Sequence, residues 1–177
     1  MRFKTIQIFI AILFLSSYSV EGFCQSDEEK TTRVKIGQEV PAFSFSEDGG
    51  PEKSIADLKG QVVLINFFAT WCGPCLKELP HLQNDIFIPY KDHPEFRLLV
   101  IGREHTAGEL AKFKQTKTFT FKLIADPKRE IYSSFAEQFI PRNFLIDRDG
   151  TIIYSSVGFD EKEFDQLKSV LEAKLKK

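Results

Sequence analysis

The chain has 177 residues, 42% of them hydrophobic and 28% charged, with 18 Phe against a single Trp. That is room for one well-buried, aromatic-rich domain and too little for two comfortable ones, and it excludes a disordered chain. With 24 Lys and Arg against 25 Asp and Glu, the net charge of -1 supplies no electrostatic reason for a nucleic-acid partner.

The first residues, "MRFK", are basic, and "IQIFIAILFLSSYSV" is an apolar run that fades into small polar residues. Residues 1–24 therefore read as a secretory signal peptide, whose apolar core, Ile6 to Leu15, falls short of the roughly 20 residues of a spanning helix. Cleavage after Ser19, Gly22 or Cys24 each fits, and the chain is expected in the periplasm or on the outer face of the cell membrane. A lipid anchor on Cys24 is the weaker alternative, because bulky Phe23 precedes that cysteine. Residues 25–36 are polar and charged and read as a linker, which places the folded domain at residues 37–177.

Within the domain, "VPAFSF" alternates like a short strand, "SEDGGPEKS" is turn chemistry, and "SIADLKG" is one helical turn closed by Gly60. "QVVLINFFA", Gln61 to Ala69, is the near-continuous apolar run of a strand buried on both faces of a mostly parallel sheet. A helix follows from Cys72, and "FRLLVIG", Phe96 to Gly102, is a second buried strand. Between them, Asp85 to Glu95 reads either as a special surface or as a helix end with a loop. "TAGELAKFKQT" is an amphipathic helix with Thr106 as N-cap, and "FKLIAD" is a short strand. "KREIYSSFAEQF" is a helix expected to turn Ile131, Phe135 and Phe139 to the core. "RNFLID" and "TIIYSSV" flank Arg148, Asp149 and Gly150 as a hairpin, and a last helix from Asp160 buries Phe164, Leu167, Val170 and Leu171. The order describes an α/β domain of three layers.

Cys72 and Cys75 admit three readings. A zinc site needs four ligands, and after signal cleavage no second cysteine pair remains, while His81, His93 and His105 lack metal-site spacing. Haem attachment would need a His where Leu76 stands. A structural disulfide across two residues constrains little of the unfolded chain, since the entropic gain grows with loop length. A reactive dithiol accounts for more. The pair lies at the carboxyl end of a buried strand, where α/β folds place their sites, and it opens a helix whose positive end favours thiolate. Cys72 is expected to be exposed at the helix start and Cys75 to be more buried, an asymmetry that separates attacking from resolving thiol.

With "ATWCGPC" the chain resembles the thioredoxin superfamily, and within it the exported TlpA/ResA-like branch. Trp71-Cys72-Gly73-Pro74-Cys75 matches the active-site pentapeptide, Pro80 the proline that kinks the active-site helix, and "SIADLKGQVVLINFFATWC" the opening of the branch. The resemblance implies a thioredoxin-like three-layer sandwich with a central mixed sheet, a C-terminal hairpin and flanking helices. It implies an enzyme that exchanges its Cys72/Cys75 dithiol with disulfides of client proteins. Trp71, Gly73, Pro74, Ile140 and Pro141 would form the client surface, with Pro141 in the cis form and Ile140 pairing with the client backbone. Asn66 stands where cytosolic thioredoxins carry a buried Asp, and Glu78, one turn beyond Cys75, is the proton acceptor the branch uses instead. The Gly-Pro dipeptide favours a reductant. No cofactor and no metal are expected. A membrane thiol carrier as electron donor, a monomeric state and a place in cytochrome c maturation are implied by resemblance alone. A peroxiredoxin would need Pro and Thr where Phe68, Ala69 and Trp71 stand. The rival of another class is a non-enzymatic thioredoxin-like module that carries copper or holds a partner.

Overall fold

A computed structural model describes residues 30–176. The expected signal peptide, the Cys24 anchor and the first part of the linker lie outside the described residues. A five-stranded sheet runs in the order β5-β4-β3-β6-β7, formed by β3 (Val62–Phe68), β4 (Phe96–Arg103), β5 (Leu123–Asp126), β6 (Arg142–Ile146) and β7 (Ile152–Val157). β3, β4 and β5 are parallel, whereas β6 pairs antiparallel with both β3 and β7. This is the mixed sheet with a C-terminal hairpin that the resemblance implies.

Side-chain alternation along β3 divides the core. Val62, Leu64 and Phe68 face one layer with α1 (Gly73–His81), α2 (Ala107–Lys117) and α4 (Glu161–Leu175), which contribute Leu79, Leu110, Phe164, Leu167 and Leu171. Val63, Ile65 and Phe67 face the other, where α3 (Glu130–Phe135) supplies Ile131, Tyr132 and Phe135. All seven residues of β3 are buried, which is why its apolar run shows no alternation in sequence. By the same parity Asn66 on β3, and its cross-strand partner Asn143 on β6, point towards α1.

Several sequence expectations need correction. The expected linker does not run to residue 36: Arg33 N–H donates to Phe135 O, Glu137 N–H to Thr31 O, and Thr32 bridges Ala136, with Val34 buried. Among the described residues, packing against the domain is therefore already in place at Thr31. The "turn" region contains β2 (Glu52–Ser54), which pairs antiparallel with β1 (Ser44–Ser46). β2 is short and polar, so it carries no hydrophobic pattern to read. Helix continues beyond α1 as a π segment, Leu82–Phe87, and a last turn, Ile88–Tyr90. Pro80 has no N–H for the helix ladder, and the altered register follows directly behind it. Most of Asp85 to Glu95 is thus helix end.

α3 is shorter than its periodicity predicts. It stops at Phe135 because Ala136 is extended and its strand-like neighbours are taken by Thr31–Arg33. Phe139 consequently misses the core: it is 44% exposed, with φ of 66°. The start of α3 is held by buried Asp126, whose carboxylate accepts from the Ile131 and Tyr132 N–H groups.

Candidate functional site

Cys72 is the N-cap of α1, and Pro74 occupies its first turn, where a missing N–H costs nothing. The two cysteines are joined as a disulfide with Cα atoms 5.3 Å apart, and Cys72 Sγ accepts from Cys75 N–H at 3.2 Å. Burial is tighter than the sequence suggests. Cys72, expected to be exposed, is 6% accessible, while Cys75 is fully buried. The sense of the asymmetry stands, but Cys72 shows solvent only a sliver of its surface. Trp71, 61% exposed, and exposed Gly73 and Pro74 surround it.

Across from the disulfide the Ile140–Pro141 peptide is cis, and Ile140 O lies 3.6 Å from Cys72 Sγ. Two buried side chains fix this loop from below. Tyr132 Oη donates to Phe139 O at 2.7 Å, and Arg142 Nε donates to the carbonyls of Gln138 and Phe139. Arg142 also reaches the hydroxyls of Thr31 and Thr32. Arg103 lies over both the Tyr132 ring and the Trp71 ring, so the two rims of the site share one support.

Beneath Cys75, Glu78 is 1% exposed. Its two carboxylate oxygens accept from separate amides: Oε2 from Asn66 Nδ2 at 2.8 Å and Oε1 from Asn143 Nδ2 at 2.6 Å. Burial pushes its pKa up to about 7; the Asn143 and Asn66 hydrogen bonds and His81 oppose this, while nearby Glu163 adds to it. A carboxyl that titrates near neutrality beside a buried thiol can take and return a proton. Among the described residues no His, Cys, Asp and Glu cluster could hold a metal ion.

His105 lacks metal-site spacing in the sequence and carries no other assignment there. The structure buries it, and Nε2 accepts from Thr70 N–H at 3.0 Å, at the turn that delivers Trp71 and Cys72. Only a neutral ring can accept there. Burial lowers its pKa, while Glu109 and Glu104 pull it back up. The stability it confers is therefore present above the unfolded-state pKa of 6.5 and lost as pH falls through the lower folded-state value. His105→Ala is expected to lower stability near pH 8 by about 1–3 kcal/mol, with the deficit shrinking towards pH 5. Thermal unfolding at both pH values checks this.

Sequence reasoning also missed Asn143, Tyr132 and Arg142. The signal available was polarity inside an apolar strand: Arg142 and Asn143 stand against Phe144, Leu145 and Ile146, and a buried strand keeps such residues only when they are bonded.

Residues 35–172 match the Redoxin family. The chain is 31% identical over 157 residues to the thiol-disulfide oxidoreductase ResA of Bacillus thuringiensis, covering 89% of this chain and 84% of that one. A provisionally named protein disulfide isomerase from Bacteroides thetaiotaomicron superposes with a TM-score of 0.79 at 33% identity, covering 83% of this chain and 94% of that one. A provisionally named thiol:disulfide interchange protein DsbE from Chlorobium tepidum gives 0.69 at 28% identity, covering 80% and 99%. Fold, disulfide position and these likenesses agree: the chain belongs to the Redoxin family, as a ResA-like member of the thioredoxin superfamily.

Proposed function

We propose that this thiol-disulfide oxidoreductase works outside the cytosol as a reductant of disulfides in client proteins. The observation that carries the reading is the Cys72–Cys75 disulfide, with the barely accessible Cys72 beside Ile140 O and the fully buried Cys75 one helical turn before Glu78. Export rests on the basic and apolar layout of residues 1–24. The reducing direction rests on Gly73-Pro74 between the cysteines.

In the reduced protein the Cys72 thiolate attacks a client disulfide, forming a Cys72–client bond and releasing one client thiolate. Cys75 gives its proton to Glu78, and its thiolate then attacks Cys72 Sγ. The mixed disulfide breaks, the second client thiolate leaves, and two electrons have passed to the client. The protein ends in the disulfide form, ready for a thiol donor, here proposed to be a membrane carrier. Ile140 supplies backbone acceptor and donor groups to an extended client segment. Trp71, Gly73, Pro74 and Pro141 shape its groove, and one copy of the chain suffices.

Insulin reduction with a small dithiol as electron source tests the reading, together with the reduction potential of the pair. The expected result is catalysed precipitation of insulin and a potential nearer to thioredoxin, about -270 mV, than to DsbA, about -120 mV. A protein that leaves insulin intact and instead binds copper tightly would be the carrier module.

A further inference from the structure

Trp71 is the only tryptophan of the chain and stands at the rim of the dithiol with 61% of its surface exposed. It belongs to neither layer of the core. An indole this exposed is held by few contacts, so the group that faces its ring weighs heavily on where it points. That group is the Arg103 guanidinium, whose Cζ lies 5.6 Å from the ring centroid.

Arg103 is nearly buried and weakly paired. Its side chain is 12% exposed, and its buried Nε has no hydrogen-bond partner among the described residues. The Glu104 carboxylate, 3.5 Å away, is 40% exposed and is shared with Arg129 at 3.6 Å. A guanidinium so placed needs a further source of stabilisation. Two ring faces supply it, Tyr132 at 4.8 Å and Trp71 at 5.6 Å.

The chain is built to bring Arg103 here. β3 and β4 end side by side with Phe68 paired to Gly102, so the next residue of β4 arrives beside the turn that leads from Phe68 to Trp71. Glu104 then adopts a left-handed conformation, φ 64°, and His105 accepts from Thr70 N–H. A non-glycine residue in that region carries strain. Its result is that Arg103 and His105 bear on successive residues of the active-site turn, one on the Trp71 ring and the other on the Thr70 backbone.

We propose that Arg103 is a positioning residue for client binding: its guanidinium, seated on Tyr132, holds the Trp71 ring in the orientation that meets the client. Tyr132 Oη also fixes the Phe139 carbonyl, so one buried side chain sets the places of both Trp71 and the cis-proline loop. Arg103 takes no part in thiol exchange. It lowers the cost of ordering Trp71 when a client segment arrives.

The inference rests on Trp71 belonging to the proposed client surface, and the test treats the two separately. Because Trp71 has no other tryptophan to mask it, time-resolved fluorescence anisotropy of the disulfide form reads its ring alone. In the wild type the ring should turn with the whole domain. Arg103→Met, which keeps an unbranched apolar stem and removes the planar cation, should introduce a fast sub-nanosecond component. A freely moving ring in the wild type, or the same decay in both proteins, would overturn the proposal. In catalysis, Arg103→Met should raise the KM for insulin about fivefold with kcat within about twofold. Reduction of bis(2-hydroxyethyl) disulfide, too small to need Trp71, should be unchanged. Equal losses on both substrates would mean that Arg103 acts through the charge felt at Cys72, and the proposal would fail. In a Trp71→Ala background the same substitution should add less than about a twofold effect, and a full fivefold effect there would also count against it. If the wild type reduces bis(2-hydroxyethyl) disulfide but leaves insulin intact, the proposed function is what fails, and the anisotropy still decides whether Arg103 holds the ring.

Discussion

Cys75→Ser is expected to abolish multiple-turnover reduction of insulin and to leave a covalent adduct between Cys72 and the client. The physical reason is burial. Cys75 is inaccessible, so a client reaches Cys72 alone, and release from the resulting mixed disulfide depends on a second thiolate held one helical turn away. A serine hydroxyl neither ionises in this range nor forms a disulfide, so the first half-reaction proceeds and the second stops. Cys72→Ser should yield neither turnover nor adduct. Non-reducing electrophoresis with mass spectrometry of the trapped species distinguishes the two. Continued turnover by Cys75→Ser would mean that an outside thiol resolves the intermediate and that the buried sulfur is structural.

The second large effect is that of Glu78→Gln. The variant keeps the size of the side chain but cannot hold a proton in transit, so client release from the mixed disulfide should slow on the order of 10²-fold, while attack by Cys72 is little changed. The same substitution has a signature in stability. Unfolded, Glu78 loses its proton around its ordinary value of 4.5; folded, it does so at about 7. Between those values the native state holds a proton that the unfolded state has released, so stability falls as pH rises from about 4.5 to about 7 and stays low above. The full extent is about 3 kcal/mol at 1.36 kcal/mol per unit. Urea unfolding of the disulfide form at pH 5 and pH 8 should show this slope in the wild type and not in Glu78→Gln. Parallel pH profiles would mean that the carboxyl does not titrate between those values.

The parts of the fold that sequence revealed are those fixed by local patterning. β3 and β4 are unbroken apolar runs, Thr106 and Asp160 carry N-cap chemistry, and the cysteine pair sits where strand gives way to helix. The parts it concealed are decided by contacts distant along the chain. α3 ends where residues around Thr32 pair with Ala136, more than 100 positions away, and no periodicity within α3 announces it. Phe139 keeps helical spacing from Phe135 and yet faces water, because its carbonyl is claimed by Tyr132 and Arg142. The chemistry of the site divides the same way. Cys72, Cys75 and Glu78 share one helix and are visible together, whereas the amides that hold Glu78 come from two strands that become neighbours only when the sheet forms.

The docking of Thr31–Arg33 bears on where this domain can be cut. A fragment started at Gly37, a natural choice by composition, would remove the Thr31 and Thr32 hydroxyls that accept from the buried Arg142 guanidinium. It would also remove the pairing that ends α3. Water would have to enter beneath the very loop whose carbonyl faces Cys72. Excising what looks like a tether would therefore loosen the floor of the proposed client groove, and a kinetic defect in such a fragment would reflect the cut rather than the enzyme.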